Sequence, residues 1–156
     1  MTPSRLTFVV TGVPTPKGRP RMTRRGKVYT PAKTVAYERT VAVAAQVAAS
    51  RLGATGMLFE GPVMVTIHCH FAMPKSWSRK RKTEMLYQPH TQLPDLDNLV
   101  KAVLDGVNHT HNIWTDDKQV AAVTGTKHWS EESSVLVRVE NLNQGTKNDW
   151  IGNEFI

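Results

Sequence analysis

Asp95, Asp97, Asp105, Asp116 and Asp117 make up five of the 13 acidic residues in a chain whose formal charge is +7. They stand in two strings, LPDLDNLVKAVLDG (93–106) and IWTDDKQV (113–120). Carboxylates so close together oppose one another unless a cation lies between them. Magnesium suits that place. It prefers hard oxygen ligands at about 2.0–2.1 Å and retains several waters, so two or three aspartates and a substrate phosphate would complete its shell.

The first string has to be a helix for its carboxylates to converge. With a start near Asp97, itself a preferred N-cap type, Asp97, Lys101 and Asp105 fall along one face at four-residue spacing. Leu99, Val100, Val103, Leu104 and Val107 form the opposite, apolar stripe, and Gly106 and Asn108 lie near the helix end. Asp95 joins the acidic side if Pro94 keeps the approach extended. A helix N-terminus stabilises one nearby carboxylate by roughly 0.3–1 kcal/mol, and a second needs more positive charge than that. On a strand, Asp116 and Asp117 would point to opposite faces, so one of the two joins the site and composition does not choose which. Each residue also has a plain alternative. Asp97 can be a cap, Lys101 and Asp105 a surface pair contributing roughly 0.2–0.5 kcal/mol, and the DDK stretch a turn. Singly these are the commoner outcomes; together they leave acidic clustering in a basic chain unexplained.

The remaining elements follow from periodicity. RLTFVVTGV (5–13) reads as a strand closed by Gly12 and Pro14, and residues 34–52 as a helix with apolar residues at three- and four-residue spacing. In GPVMVTIHCHFAMP, Val63, Val65, Ile67, Cys69 and Phe71 alternate with Met64, Thr66, His68 and His70, the pattern of a half-buried strand. Ser76 or Ser78 caps a short helix ahead of Pro89, and KQVAAVTGTKHW and SVLVRVENL supply two last strands. The order β, α, β, short α, α, β, β implies a mixed sheet with helices on one or both faces. A chain of 156 residues is about one domain long. Residues 143–156 fit none of these elements.

Twenty Lys and Arg against 13 Asp and Glu favour an anionic partner, most commonly nucleic acid. From Lys17 to Lys33 the chain holds seven basic residues and no acidic one, punctuated by Gly18, Pro20, Gly26 and Pro31. That composition predicts an exposed, mobile loop. Arg19, Arg21, Arg24 and Arg25, with Tyr29, are able to follow a phosphate backbone and to stack on an unpaired base. His68 and His70 share a strand face and are a rival, zinc-type pair, without the further Cys or His ligands that a tetrahedral site requires. One cysteine, Cys69, excludes an internal disulfide, and no apolar run approaches the roughly 18–20 residues of a membrane span. The expectation is an intracellular protein. No Walker-type phosphate loop occurs.

VPTPKGRPR, PDLDNLVKAVLDGV and IWTDDKQV, in that order and spacing, resemble the RusA family of Holliday junction resolvases. The resemblance implies an α/β (α+β) fold over residues 1–142, with a mixed four-stranded sheet packed with two main helices, followed by a tail at 143–156. It further implies a magnesium-dependent endodeoxyribonuclease, with manganese able to substitute. Such an enzyme works as a homodimer on four-way DNA junctions in recombination and repair, in the cytoplasm of a bacterial or phage-infected cell. Asp95, Asp97 and Asp117 match the family's essential aspartates and Lys101 its functionally important lysine; Asp105 and Asp116 occupy recurrent positions in a supporting role. Lys17, Arg19, Arg21, Arg24, Arg25 and Lys27 are the expected DNA-binding set. The alternatives are a nuclease for flaps and forks, or a non-catalytic branched-DNA-binding protein.

Overall fold

The computed structural model describes residues 5–53 and 55–142, and the tail at 143–156 lies outside the described residues. Strands β1 (Arg5–Thr11), β4 (Val63–Ala72), β5 (Val120–Ser130) and β6 (Ser134–Asn141) form one sheet in the order β1-β6-β4-β5. β6 runs antiparallel to both β1 and β4, whereas β4 and β5 are parallel. A parallel pair needs a long crossover, and here it contains α2 (Arg79–Met85) and α3 (Leu96–Asn108). The first helix, α1, spans Ala32–Arg51.

Alternation decides which face is covered. Leu6, Phe8 and Val10 of β1, Val63 to Phe71 at every second position of β4, and Val135, Val137 and Val139 of β6 are buried. Against them pack Tyr37, Val41, Ala45 and Ala49 of α1 and Leu99, Ala102, Val103 and Val107 of α3. Each fully buried Val, Leu or Ile contributes roughly 1.5–3 kcal/mol relative to exposure. The helices α1 and α3 therefore share one face, while Thr7 and Val9 are exposed and His68 and His70 half-buried on the other. Two glycines let the helices come close. A Cβ on Gly106 would lie 2.6 Å from the Cβ of Val41, so this residue marks the α1–α3 crossing inside the helix and is not its stop. On Gly125 of β5 a Cβ would meet Val100 and Leu96 at 3.1 and 3.2 Å, which sets the first turns of α3 over that strand.

The sheet edge at β5 carries a pairing that local pattern does not announce. Tyr87 N–H donates to Trp129 O, Trp129 N–H to Gln88 O, and His90 N–H to Lys127 O, at 2.9–3.0 Å. The residues after α2 thus satisfy the exposed edge. Trp114 and Trp129 are buried, and Trp77 lies half-buried beneath the Arg81 guanidinium, 4.0 Å from the ring centroid. The Trp114 and Trp129 rings belong to the core, so neither is an open platform for a base.

The basic stretch is more ordered than its composition predicts. β2 (Arg21–Met22) and β3 (Val28–Tyr29) pair antiparallel, and a turn from Thr23 to Gly26 closes them through a 2.9 Å bond from Gly26 N–H to Thr23 O. Gly26 has φ +83°, a conformation that glycine enters without the Cβ clash other residues meet. Arg24 and Arg25 occupy the exposed tip.

Candidate active site

α3 begins at Leu96, one residue ahead of the Asp97 start. Asp95 holds the N-cap position in an extended conformation, and its carbonyl accepts from Leu99 N–H at 3.2 Å. Asp97 accordingly sits in the first turn, where the positive end of the helix dipole favours a carboxylate. Both side chains are exposed, and among the described residues neither carboxylate accepts a hydrogen bond or joins an ion pair. Lys101 follows one turn on, its side chain 62% exposed. The apolar stripe of the same helix explains this placement: Leu99, Val103 and Val107 are buried, leaving the acidic face outward.

The second acidic string is not a strand at Asp116 and Asp117. Asp117–Gln119 form a 3-10 turn with Asp116 as its N-cap, whose carboxylate accepts from Lys118 N–H at 2.8 Å. That backbone hydrogen bond holds the Asp116 carboxyl below the usual range. Gln119 completes the arrangement. Its Oε1 accepts from Thr115 N–H at 2.7 Å, and its Nε2 donates to the carbonyls of Phe59 and Gly61, each at 2.9 Å. The Asp-x-x-Gln spacing is a capping-box pattern, and that spacing in the sequence is the signal that marks Gln119. On the upstream side, the buried Trp114 donates its indole N–H to Asn108 at the end of α3, 2.7 Å away. The acidic turn is thereby fixed from both sides and packs against α3.

Asp105 and Lys17 have other partners. The Lys17 ammonium donates to Glu38 of α1 and stands 3.0 Å from Asp105, and Lys101 reaches the same Asp105 oxygen at 3.8 Å. Burial by itself would lower the Lys17 pKa; the hydrogen bonds to Glu38 and Asp105 outweigh it and set the value above the ordinary one. Glu38, with a side chain 6% exposed, is further bound by His109 Nε2 at 3.0 Å. Nothing in the local pattern of α1 points to Glu38. The root of the hairpin is tied to the same helices, with Lys17 N–H donating to Asn98 O at 2.9 Å and Gly18 N–H to Thr34 Oγ1 at 3.0 Å. Lys17 therefore turns inward, whereas Arg19, Arg21, Arg24, Arg25 and Lys27 remain exposed.

Exposed, unpartnered carboxylates are the donor chemistry that a hard divalent cation takes. Among the described residues, however, no group of three or more His, Cys, Asp or Glu stands close enough to hold a metal. The acidic turn packs against α3, and the carboxylates of the two do not form a ready three-ligand set among the described residues. The same holds for the histidines, since His68 and His70 face His128 with ring centroids 6.2 and 5.9 Å away, and burial lowers the pKa of both.

A family model described as Endodeoxyribonuclease RusA matches residues 11–140, a span that takes in the basic hairpin and both acidic strings. The chain belongs to the RusA endodeoxyribonuclease family. "Uncharacterized protein YqaN" of Bacillus subtilis (strain 168) is 38% identical over 143 residues, which cover 86% of this chain and 95% of that protein. The mixed four-stranded sheet with its helices is consistent with the RusA fold, and family membership supports a nuclease. No helix among the described residues is long and apolar enough to cross a membrane.

Proposed function

We propose that this RusA-family chain is a magnesium-dependent endodeoxyribonuclease that resolves four-way DNA junctions, with Asp95, Asp97 and Asp117 as metal ligands and Lys101 beside them. The observation that carries the reading is the pair of exposed carboxylates at the start of α3, on a helix that packs against the acidic turn and is bonded to the root of the basic hairpin. Magnesium, or manganese in its place, would supply charge neutralisation and an activated water when bound. The protein's part is to leave Asp95 and Asp97 exposed and unpaired at the helix N-terminus. Lys101 offers an ammonium to the negative charge that develops on a phosphate under attack. Arg19, Arg21, Arg24, Arg25 and Lys27 would grip the DNA backbone, and each phosphate neutralised steepens the salt dependence of binding. Asp116 is engaged as a cap and Asp105 by Lys17, so neither takes the place of these ligands.

A four-way junction has approximate two-fold symmetry and is resolved by opposed cuts, which a two-fold homodimer with one site per subunit fits. Work in recombination and repair in a bacterial cytoplasm, on host or prophage DNA, goes with this substrate. In a second reading, a non-catalytic branched-DNA-binding protein, the exposed hairpin cations hold the junction and the aspartates serve only as caps and pairing groups.

Asp97→Asn separates the two. On a labelled four-way junction with magnesium, the variant is expected to bind as wild type. It should lose more activity than the roughly 100-fold that removal of an outer partner of a metal ligand costs. Cleavage by the variant at the wild-type rate removes the metal-site assignment, and a wild-type protein that binds without cutting establishes the binding reading. Fork and flap substrates run alongside distinguish junction resolution from more general branch cutting.

A further inference from the structure

Two lysines reach for one oxygen. Oδ2 of Asp105 lies 3.0 Å from the Lys17 ammonium and 3.8 Å from that of Lys101. The two are unequal competitors. The Lys17 side chain is 20% exposed and its ammonium also engages Glu38, whereas the Lys101 side chain is 62% exposed and lies on the helix surface. Attraction between charges weakens as water surrounds them, which favours the more buried pair. Lys101 precedes Asp105 by four residues, and this order, cation before acid, is the weaker orientation for a helical pair. Glu38 in turn is anchored by His109, so the clamp on Lys17 has a fixed far side.

We infer that Lys17 is a positioning residue for Lys101: by occupying Oδ2 of Asp105 at 3.0 Å, it holds the Lys101 ammonium to a looser 3.8 Å pairing on the helix face that presents Asp97. What Lys101 then does rests on the nuclease reading given above; the competition for Asp105 does not. Without Lys17, Asp105 stands beside Glu38 with Lys101 as its remaining ion-pair partner, and Lys101 closes onto it. The lysine that begins the basic stretch acts on the chemistry from behind, while the arginines after it face outward.

Acetic anhydride labelling of Lys101 in the full-length chain, followed by peptide mass spectrometry, tests this coupling together with junction cleavage in magnesium. Lys17→Met is expected to slow Lys101 acetylation by about twofold or more. It should lower kcat by roughly 10-fold or more while leaving KM and the salt dependence of DNA binding at wild-type values. Adding Asp105→Asn removes the competing carboxylate and restores both acetylation and kcat, and Lys17→Arg retains them. A purely supporting role for Lys17 predicts the reverse, with the double variant no better than the single one. Lys17→Met/Glu38→Gln, which leaves no buried carboxylate without its cation, serves if Lys17→Met does not fold. Unchanged Lys101 acetylation in either folded variant overturns the inference, as does a salt slope shallower by about one phosphate, which would make Lys17 a DNA contact. If acetylation follows the expected pattern while wild type cuts no branched DNA, the nuclease reading falls and the coupling of Lys17 to Lys101 stands.

Discussion

Gly106→Ala is the sharpest probe of how α3 is held. A Cβ at this position would lie 2.6 Å from Val41 Cβ, 2.7 Å from Val41 Cγ1 and 3.1 Å from the backbone oxygen of Glu38, where ordinary contact begins at 3.4 Å. Neither Val41 Cβ nor a backbone oxygen moves by a rotamer change. The two helices must separate by close to an ångström, disturbing Val41, Val103 and Val107, which are at most 1% exposed. Overpacking of a dense core costs typically 1–3 kcal/mol, and a clash against fixed atoms belongs at the upper end. Replacing glycine by alanine within a helix returns about 1 kcal/mol of propensity. The net expectation is a loss of about 2 kcal/mol. For a domain of this size each kcal/mol shifts Tm by roughly 2–4 °C, so Tm should fall by about 4–8 °C in thermal unfolding followed by circular dichroism. Gly125→Ala is the control, because its Cβ would meet the side-chain ends of Val100 and Leu96 at 3.1 and 3.2 Å and those ends can give way. A Tm that is unchanged or raised in Gly106→Ala would refute the close crossing, for propensity would then have won.

Two further outcomes are expected. Arg19→Ala with Arg21→Ala removes two exposed hairpin cations, so log K for junction binding should fall less steeply with log salt, by a slope of about 1.8; an unaltered slope takes the hairpin out of the interface. Burial lowers the pKa of His68, His70 and His90 from the ordinary 6.5, so the unfolded chain takes up protons below that pH before the folded one does. Stability from these rings is present above pH 6.5 and is lost as pH falls through it, so Tm at about pH 5.5 should lie below Tm at about pH 7.5. His70→Gln should flatten that dependence, and a Tm that rises on acidification contradicts the assignment.

Patterns confined to one element were legible in the sequence. The three- and four-residue spacing of Leu99, Val103 and Val107 buries those residues, and the alternation from Val63 to Phe71 buries every second side chain of β4. Both follow from backbone period alone. The exact first residue of α3 was not legible, since Asp95 and Asp97 are both good cap types and the choice depends on how the chain enters after Pro94. Whether the DDK stretch is a strand or a turn was not legible for a related reason. Gln119 that stabilises it donates to Phe59 and Gly61, which lie 60 and 58 residues away.

The sequence by itself determined that acidic residues gather in two strings, that a basic stretch stands apart from them, and that an apolar stripe turns the acidic face of α3 outward. Only the tertiary structure decided which charges have partners. Lys17 belongs by sequence to the outward-facing cations, and it turns inward because α1 and α3 cross at Gly106 and bring Glu38 and Asp105 to its ammonium. Asp116 and Asp117 are alike in composition, and they differ because one carboxylate accepts a backbone N–H as a cap. The physical reason is the same in both cases: a side chain's type sets what it can bind, and its partner is set by contacts between segments that are distant in the chain.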